Sequence, residues 1–155
     1  MKKWIFIFAA LVLVAAVGIR SSTGTDVAQL RPVQSVRLSS FNGYITVETD
    51  TGAWGMGGDL AAAVSNMNDT ATGQIFLDTA EYLVISEDLL YLLPTMADHV
   101  RPSCGICVEE GQPDMSQVSA FLQTHTPTIT LQEYLAGMTD LPTLLTTQEG
   151  MRLVQ

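Results

Sequence analysis

Apolar positions fall into short blocks separated by polar bends, and the sharpest block is Tyr82-Leu83-Val84-Ile85. It follows Ile75-Phe76-Leu77 and a bend, Asp78-Thr79-Ala80-Glu81, and it stops at Ser86-Glu87-Asp88. A brief uninterrupted apolar run between turn residues predicts a strand buried on both faces, here a central one. Ser86 suits a helix N-cap, and Glu87 and Asp88 suit the positive end of a helix dipole, so the strand is expected to feed a helix. Leu89, Leu90, Leu93, Met96 and Val100 give that helix an apolar stripe. Pro94 is expected to kink it or to open a second piece, and Arg101-Pro102 to end it.

Upstream, Ser35-Val36-Arg37-Leu38 alternates, and Tyr44 to Thr49 is rich in β-branched and aromatic residues. Asn42-Gly43 lies between them, and both residues tolerate positive φ, which predicts a hairpin with strands 34–39 and 44–49. The glycine-rich stretch from Asp50 to Gly58, DTGAWGMGG, reads as a loop. A helix follows from Asp59 to Asp69, with Leu60, Ala63 or Val64, and Met67 on one face. Downstream, Ser103 to Glu109 is a strand candidate. Asp114 caps a helix through Thr124, with Val118, Phe121 and Leu122 inward. Thr128 to Leu131 is a last short strand or the lead-in to a helix at 131–136. Residues 137–155 read as a C-terminal extension, loosely ordered or holding one edge strand. The order β-β-α-β-α-β-α, with a final β left open, predicts a single α/β (α+β) domain over 34–136 with a small mixed sheet, the hairpin being its antiparallel part.

Residues 1–20 precede this domain as an apolar helix. Lys2 and Lys3 stand before sixteen uncharged residues, Trp4 to Ile19, which is the pattern of an export segment. Two outcomes stay open. Ala15-Ala16-Val17-Gly18 offers small residues for signal cleavage. A retained anchor would span the membrane through residues 4–19, with Lys2 and Lys3 in the cytoplasm and the C-terminal domain outside. Residues 21–33 read as a polar linker. Four arginines then face all sixteen acidic residues of the chain, so residues 21–155 carry a net charge of −12. Such a surface is repelled by nucleic acid and by anionic headgroups, so no nucleic-acid partner is expected.

Candidate chemistry is sparse. The glycine-rich loop lacks a Gly-Lys-Ser/Thr and the G-x-G-x-x-G spacing, so it carries no cofactor signal. Asp50-Thr51-Gly52 matches the aspartic-protease triplet, but a carboxylate dyad needs a second copy and the chain has none. His99 and His125 have no partner fixed by spacing, and Asp78 and Glu81 share a bend that needs polar residues anyway. No catalytic, cofactor-binding or metal set is read from them. Cys104-Gly-Ile-Cys107 is the one pair inviting a sharper claim, as buried strand cysteines, a structural disulfide or a redox dithiol. Reactive cysteines sit at helix N-termini, whereas Val-Glu-Glu follows Cys107 here, and its charge would raise the thiol pKa.

Residues 59–119 resemble the N-terminal domain of the Ger(x)C spore-germination proteins, the C subunits of germinant receptors. The resemblance rests on the helix DLAAAVSNM, the central IFLDTAEYLVISEDL, and ICVEEG after an arginine-containing turn. It implies a non-enzymatic envelope protein linked to sporulation or germination. Ger(x)C proteins are longer and carry a lipid-bearing cysteine after the signal segment, which this chain lacks. The expected function is therefore an exported or membrane-tethered protein-interaction module of the bacterial cell envelope with an envelope-protein partner. An exported thiol oxidoreductase using Cys104 and Cys107 is the alternative.

Overall fold

The computed structural model describes residues 31–154. The apolar segment 1–20, and the linker as far as residue 30, lie outside the described residues. Among the described residues, no helix is long and apolar enough to cross a membrane.

The elements are β1 (Arg31–Pro32), β2 (Ser35–Phe41), β3 (Tyr44–Thr49), β4 (Trp54–Gly57), α1 (Leu60–Thr70), β5 (Ile75–Phe76), β6 (Tyr82–Ser86), α2 (Leu93–Met96), β7 (Gly105–Glu110), α3 (Met115–Thr124), α4 (Leu131–Leu135), β8 (Thr143–Thr147) and β9 (Gly150–Val154). Seven strands form one mixed sheet in the order β4-β3-β2-β6-β7-β8-β9. Strands β2, β6, β7 and β8 run parallel, while β3, β4 and β9 are antiparallel to their neighbours. The chain is thus an α/β domain with a mixed sheet.

Strand β6 takes the middle place. Leu83, Val84 and Ile85 are fully buried, and alternation sends them to different layers. Leu83 and Ile85 join a core with Leu60, Ala63 and Met67 of α1, Leu93 and Met96 of α2, and Leu131 of α4. Tyr82 and Val84 join a second core beneath α3, with Met115, Val118 and Leu122. Among the described residues the sheet therefore has helices on both faces, three on the first and α3 on the second.

The hairpin forms about Asn42 and Gly43, which have φ of 51° and 80° as a two-residue I′ turn requires. The segment after β6 departs from expectation. Ser86 makes no side-chain cap; its hydroxyl donates to Glu109 instead. Residues Glu87–Leu92 wind as a 3₁₀ helix, and Pro94, in the first turn of α2, starts the short α-helical piece. Pro94 lacks the amide that would continue an α-helix from Leu90.

Three other expectations are corrected and one left open is decided. The stretch from Asp50 to Gly58 is not all loop: Trp54–Gly57 is a strand paired with β3. Its glycines let α1 lie directly on the backbone. A β-carbon at Gly55 would overlap the Ala63 carbonyl and sit 2.7 Å from Met67 Cα, and one at Gly57 would overlap the Ala63 amide. Residues 143–154 are neither loose nor a single edge strand, since β8 and β9 both extend the main sheet. The linker boundary at residue 33 also moves, because Arg31–Pro32 pairs with Ile75–Phe76 and Val33 is buried. Of the two readings for 128–131, the helix lead-in is the one found: Thr130 and Glu133 form a capping box on α4, and only a single bridge joins Thr130 to Gly105.

The close approach of α1 to β4 makes a paired test. Gly55→Ala should destabilise the domain by about 1–3 kcal/mol or more, because the new methyl meets backbone that cannot rotate away. Gly58→Ala, with nothing within 4 Å, should stay within about 0.5 kcal/mol of the parent. Urea unfolding midpoints check both.

Candidate docking face

A helix is about 10 Å across and strands lie about 4.8 Å apart, so one helix shades about two or three strands. Among the described residues, three helices share the first face of the sheet, and α3 alone serves the second. Its core takes in β6 to β9, through Tyr82, Val84, Cys107 and Leu144 with Met151 and Leu153 packed beside them. The described residues leave β4 and the hairpin ends of β2 and β3 uncovered on that side.

Alternation and register fix what points there. Arg37, Glu48 and Trp54 form one cross-strand row, Ser39, Thr46 and Met56 a second, and Phe41 with Tyr44 a third. Phe41, Tyr44, Trp54 and Met56 are 62%, 51%, 58% and 38% exposed. A single exposed apolar side chain is ordinary; four large ones on one sheet face are a patch. Between Phe41 and Trp54 lies a cleft of about 430 Å³ bounded also by Arg37, Glu48, Ser86 and Glu109.

The floor of the cleft is an ion-paired network. Arg37 Nε donates to Glu109 Oε2 at 2.6 Å and Nη2 to Oε1 at 3.3 Å, while Nη1 reaches Glu48 Oε2 at 3.3 Å. The Arg37 and Glu109 side chains are 13% and 5% exposed, against 41% for Glu48. Burial alone would lower the Arg37 pKa. The hydrogen bond and charge of Glu109, then those of Glu48, outweigh it and hold the guanidinium above its ordinary value. Ser86 adds a hydroxyl donor to Glu109. On the opposite side of β2, Ser40 donates to Asp88 at 2.6 Å.

A second network fastens α3 over the other half. Buried Ser35 and Ser119 share a hydrogen bond of 2.9 Å, and Ser119 Oγ donates to Asp50 Oδ2 at 2.8 Å. The Gln34 amide donates to Asp50 Oδ1 at 3.2 Å. The Asp-Thr-Gly triplet is thereby part of a turn, with Gly52 at φ 80°, and its carboxylate is an anchor for α3.

Cys104 and Cys107 are both free and buried. They enter different cores, Cys104 the larger one and Cys107 the one beneath α3. Burial pushes each thiol up to about 12. The thiolate is the nucleophile, so thiols held there are protonated at neutral pH and sit in a packing environment. His125 stacks on Phe121 with ring centroids 4.3 Å apart, and His99 lies just past α2. Glu81 pairs with Arg101 at 3.2 Å, while Asp78 is exposed. Among the described residues, no group of three or more His, Cys, Asp or Glu is placed to hold a metal ion.

Fold and surface together define an α/β domain with one uncovered, partly apolar sheet face. Comparison of the chain with protein-family models, curated proteins and solved structures returns no match. None of the residues of this face was singled out as a site from the sequence. The available signal was the outward set of the hairpin, Arg37-Ser39-Phe41 and Tyr44-Thr46-Glu48, which mixes aromatic with polar residues where a solvated face would be polar throughout.

Two measurements follow from these geometries. Arg37→Met leaves Glu109 buried without its partner and should cost about 3–5 kcal/mol in urea unfolding, whereas Glu48→Gln should cost about 1 kcal/mol or less. The thiols bind their protons more tightly folded than unfolded, so their contribution is complete below the unfolded thiol range and is lost as pH rises from about 9 toward about 12. The melting temperature should fall across that interval, and fall less in a Cys104→Ala/Cys107→Ala variant.

Proposed function

We propose that this chain is a non-enzymatic protein-interaction module of the bacterial cell envelope, exported or tethered by residues 1–20 and presenting the open face of β2, β3 and β4 to an envelope-protein partner. The observation that carries this reading is the set of four large exposed side chains, Phe41, Tyr44, Trp54 and Met56, on one uncovered half-sheet. Burying an aromatic or methionine side chain is worth about 1.5–3 kcal/mol, so a partner seated there recovers a substantial binding energy. The buried Arg37–Glu109 pair gives the apolar patch a rigid polar floor, and aromatic anchors around such a floor are what protein interfaces use. The net charge of −12 on residues 21–155 supports a protein partner over nucleic acid or an anionic lipid surface. The resemblance of residues 59–119 to Ger(x)C domains directs the search for that partner to sporulation and germination proteins.

Site-specific photo-crosslinking in a bacterium expressing the full chain tests the reading. A crosslinker at Phe41 or Trp54 should give a discrete protein adduct in the membrane or extracytoplasmic fraction, and one at Asp69, on the exposed side of α1, should not. Equal labelling at all three positions, or none at Phe41 and Trp54, would sink it.

A further inference from the structure

We infer that the occupant of the open face is a basic, apolar-anchored peptide segment of a partner protein, laid across β2, β3 and β4 with a cationic side chain between Trp54 and Glu48. This rests on the interaction-module reading and goes on to specify the partner's chemistry. Arg37 is the cation of this face, and its guanidinium is already engaged by Glu109 and Glu48. Among the described residues an anionic segment would meet no free positive charge here. A cationic one meets Glu48, which keeps 41% of its side chain exposed and lines the cleft. It also meets the ring of Trp54, directly across the strand pair from Glu48, and a cation over an exposed indole is worth about 0.5–1 kcal/mol.

The mode of docking is constrained as well. Strand addition at the nearby edge is blocked, because α1 caps β4. The Met56 amide donates to Asn66 Oδ1 at 3.0 Å, and Thr70 Oγ1 reaches the Trp54 carbonyl at 3.4 Å. The partner is therefore received by side chains on the face and not by backbone at the edge. A second copy of the chain is the wrong occupant on charge, since it would bring the same glutamates against themselves.

Selection from a random dodecapeptide phage library on the immobilised full chain in nonionic detergent tests this. Retained peptides should be enriched about twofold or more in Lys and Arg, alongside Leu, Phe or Trp. Retention should fall about tenfold with Trp54→Ser/Glu48→Gln, a loss of about 1.4 kcal/mol, and should weaken in high salt. Both substituted residues are partly or largely exposed, so a single cooperative urea transition, with a midpoint shifted by no more than about 1 kcal/mol of stability, certifies the variant fold. The inference is overturned by acidic or uncharged peptides, by no enrichment, or by equal retention on the variant. It is also overturned if sedimentation shows a dimer that Trp54→Ser dissociates, which would assign the face to a second copy. An adduct at Phe41 and Trp54 together with acidic selected peptides would leave the interaction module standing and remove only the basic partner.

Discussion

Strand β6 is held by a demand that no neighbour can evade: Tyr82, Leu83, Val84 and Ile85 alternate between two layers, and neither layer reaches water. A parallel strand of this kind is stable only with cover on both sides of the sheet. The connections supply it. The 3₁₀ turn and α2 return over the first face, joined there by α1 and α4, and α3 crosses the second. Among the described residues the cover is unequal, with three α-helices and the 3₁₀ turn above and one helix of ten residues below, about 15 Å long. The exposed half-sheet is what remains once α3 has covered the middle of the fold.

The antiparallel end of the sheet is adapted to that imbalance. On the first face, Gly55 and Gly57 bring α1 onto the backbone of β4, and the side chains of Asn66 and Thr70 blunt the edge from there. On the second face the same strands carry Trp54 and Met56 outward. One short strand is thus sealed on its inner side and along its edge, and left open on its outer side. Glu109 ties this end to the centre. It is nearly buried, accepts from Arg37 on β2 and from Ser86 on β6, and so locks three adjacent strands beneath the cleft.

The two networks that hold the second face differ in how they use burial. The Ser35–Ser119–Asp50 chain is short, uncharged at its centre and placed where α3 lands, so it fixes a helix position at little desolvation cost. The Arg37–Glu109 pair takes two charges largely out of water and returns that cost only through its bidentate geometry. The cysteines belong to neither network. They fill apolar space in the two cores, and burial holds their protons by disfavouring the charged thiolate.

Local chemistry was enough for the hairpin at Asn42-Gly43, for Asp114 as a cap, for the buried central run and for the break at Pro94, because each depends on residues within one turn of the chain. Strand β4 was hidden because glycine reads as a loop former, and only the nearness of α1 makes a glycine strand sensible. The role of Ser86 was hidden for a similar reason: a serine before two acids satisfies a cap rule, while the stronger acceptor, Glu109, lies a strand away. The C-terminal hairpin was missed because its apolar positions are sparse and meaningful only beside β7 and beneath α3. What the sequence by itself determined was an acidic α/β domain with a doubly buried middle strand, since hydrophobic period, turn residues and charge act over a few residues. Which face stays open, which arginine is sealed beneath it and which aromatics meet there were decided only by the tertiary structure, because exposure is set by how far a single covering helix reaches.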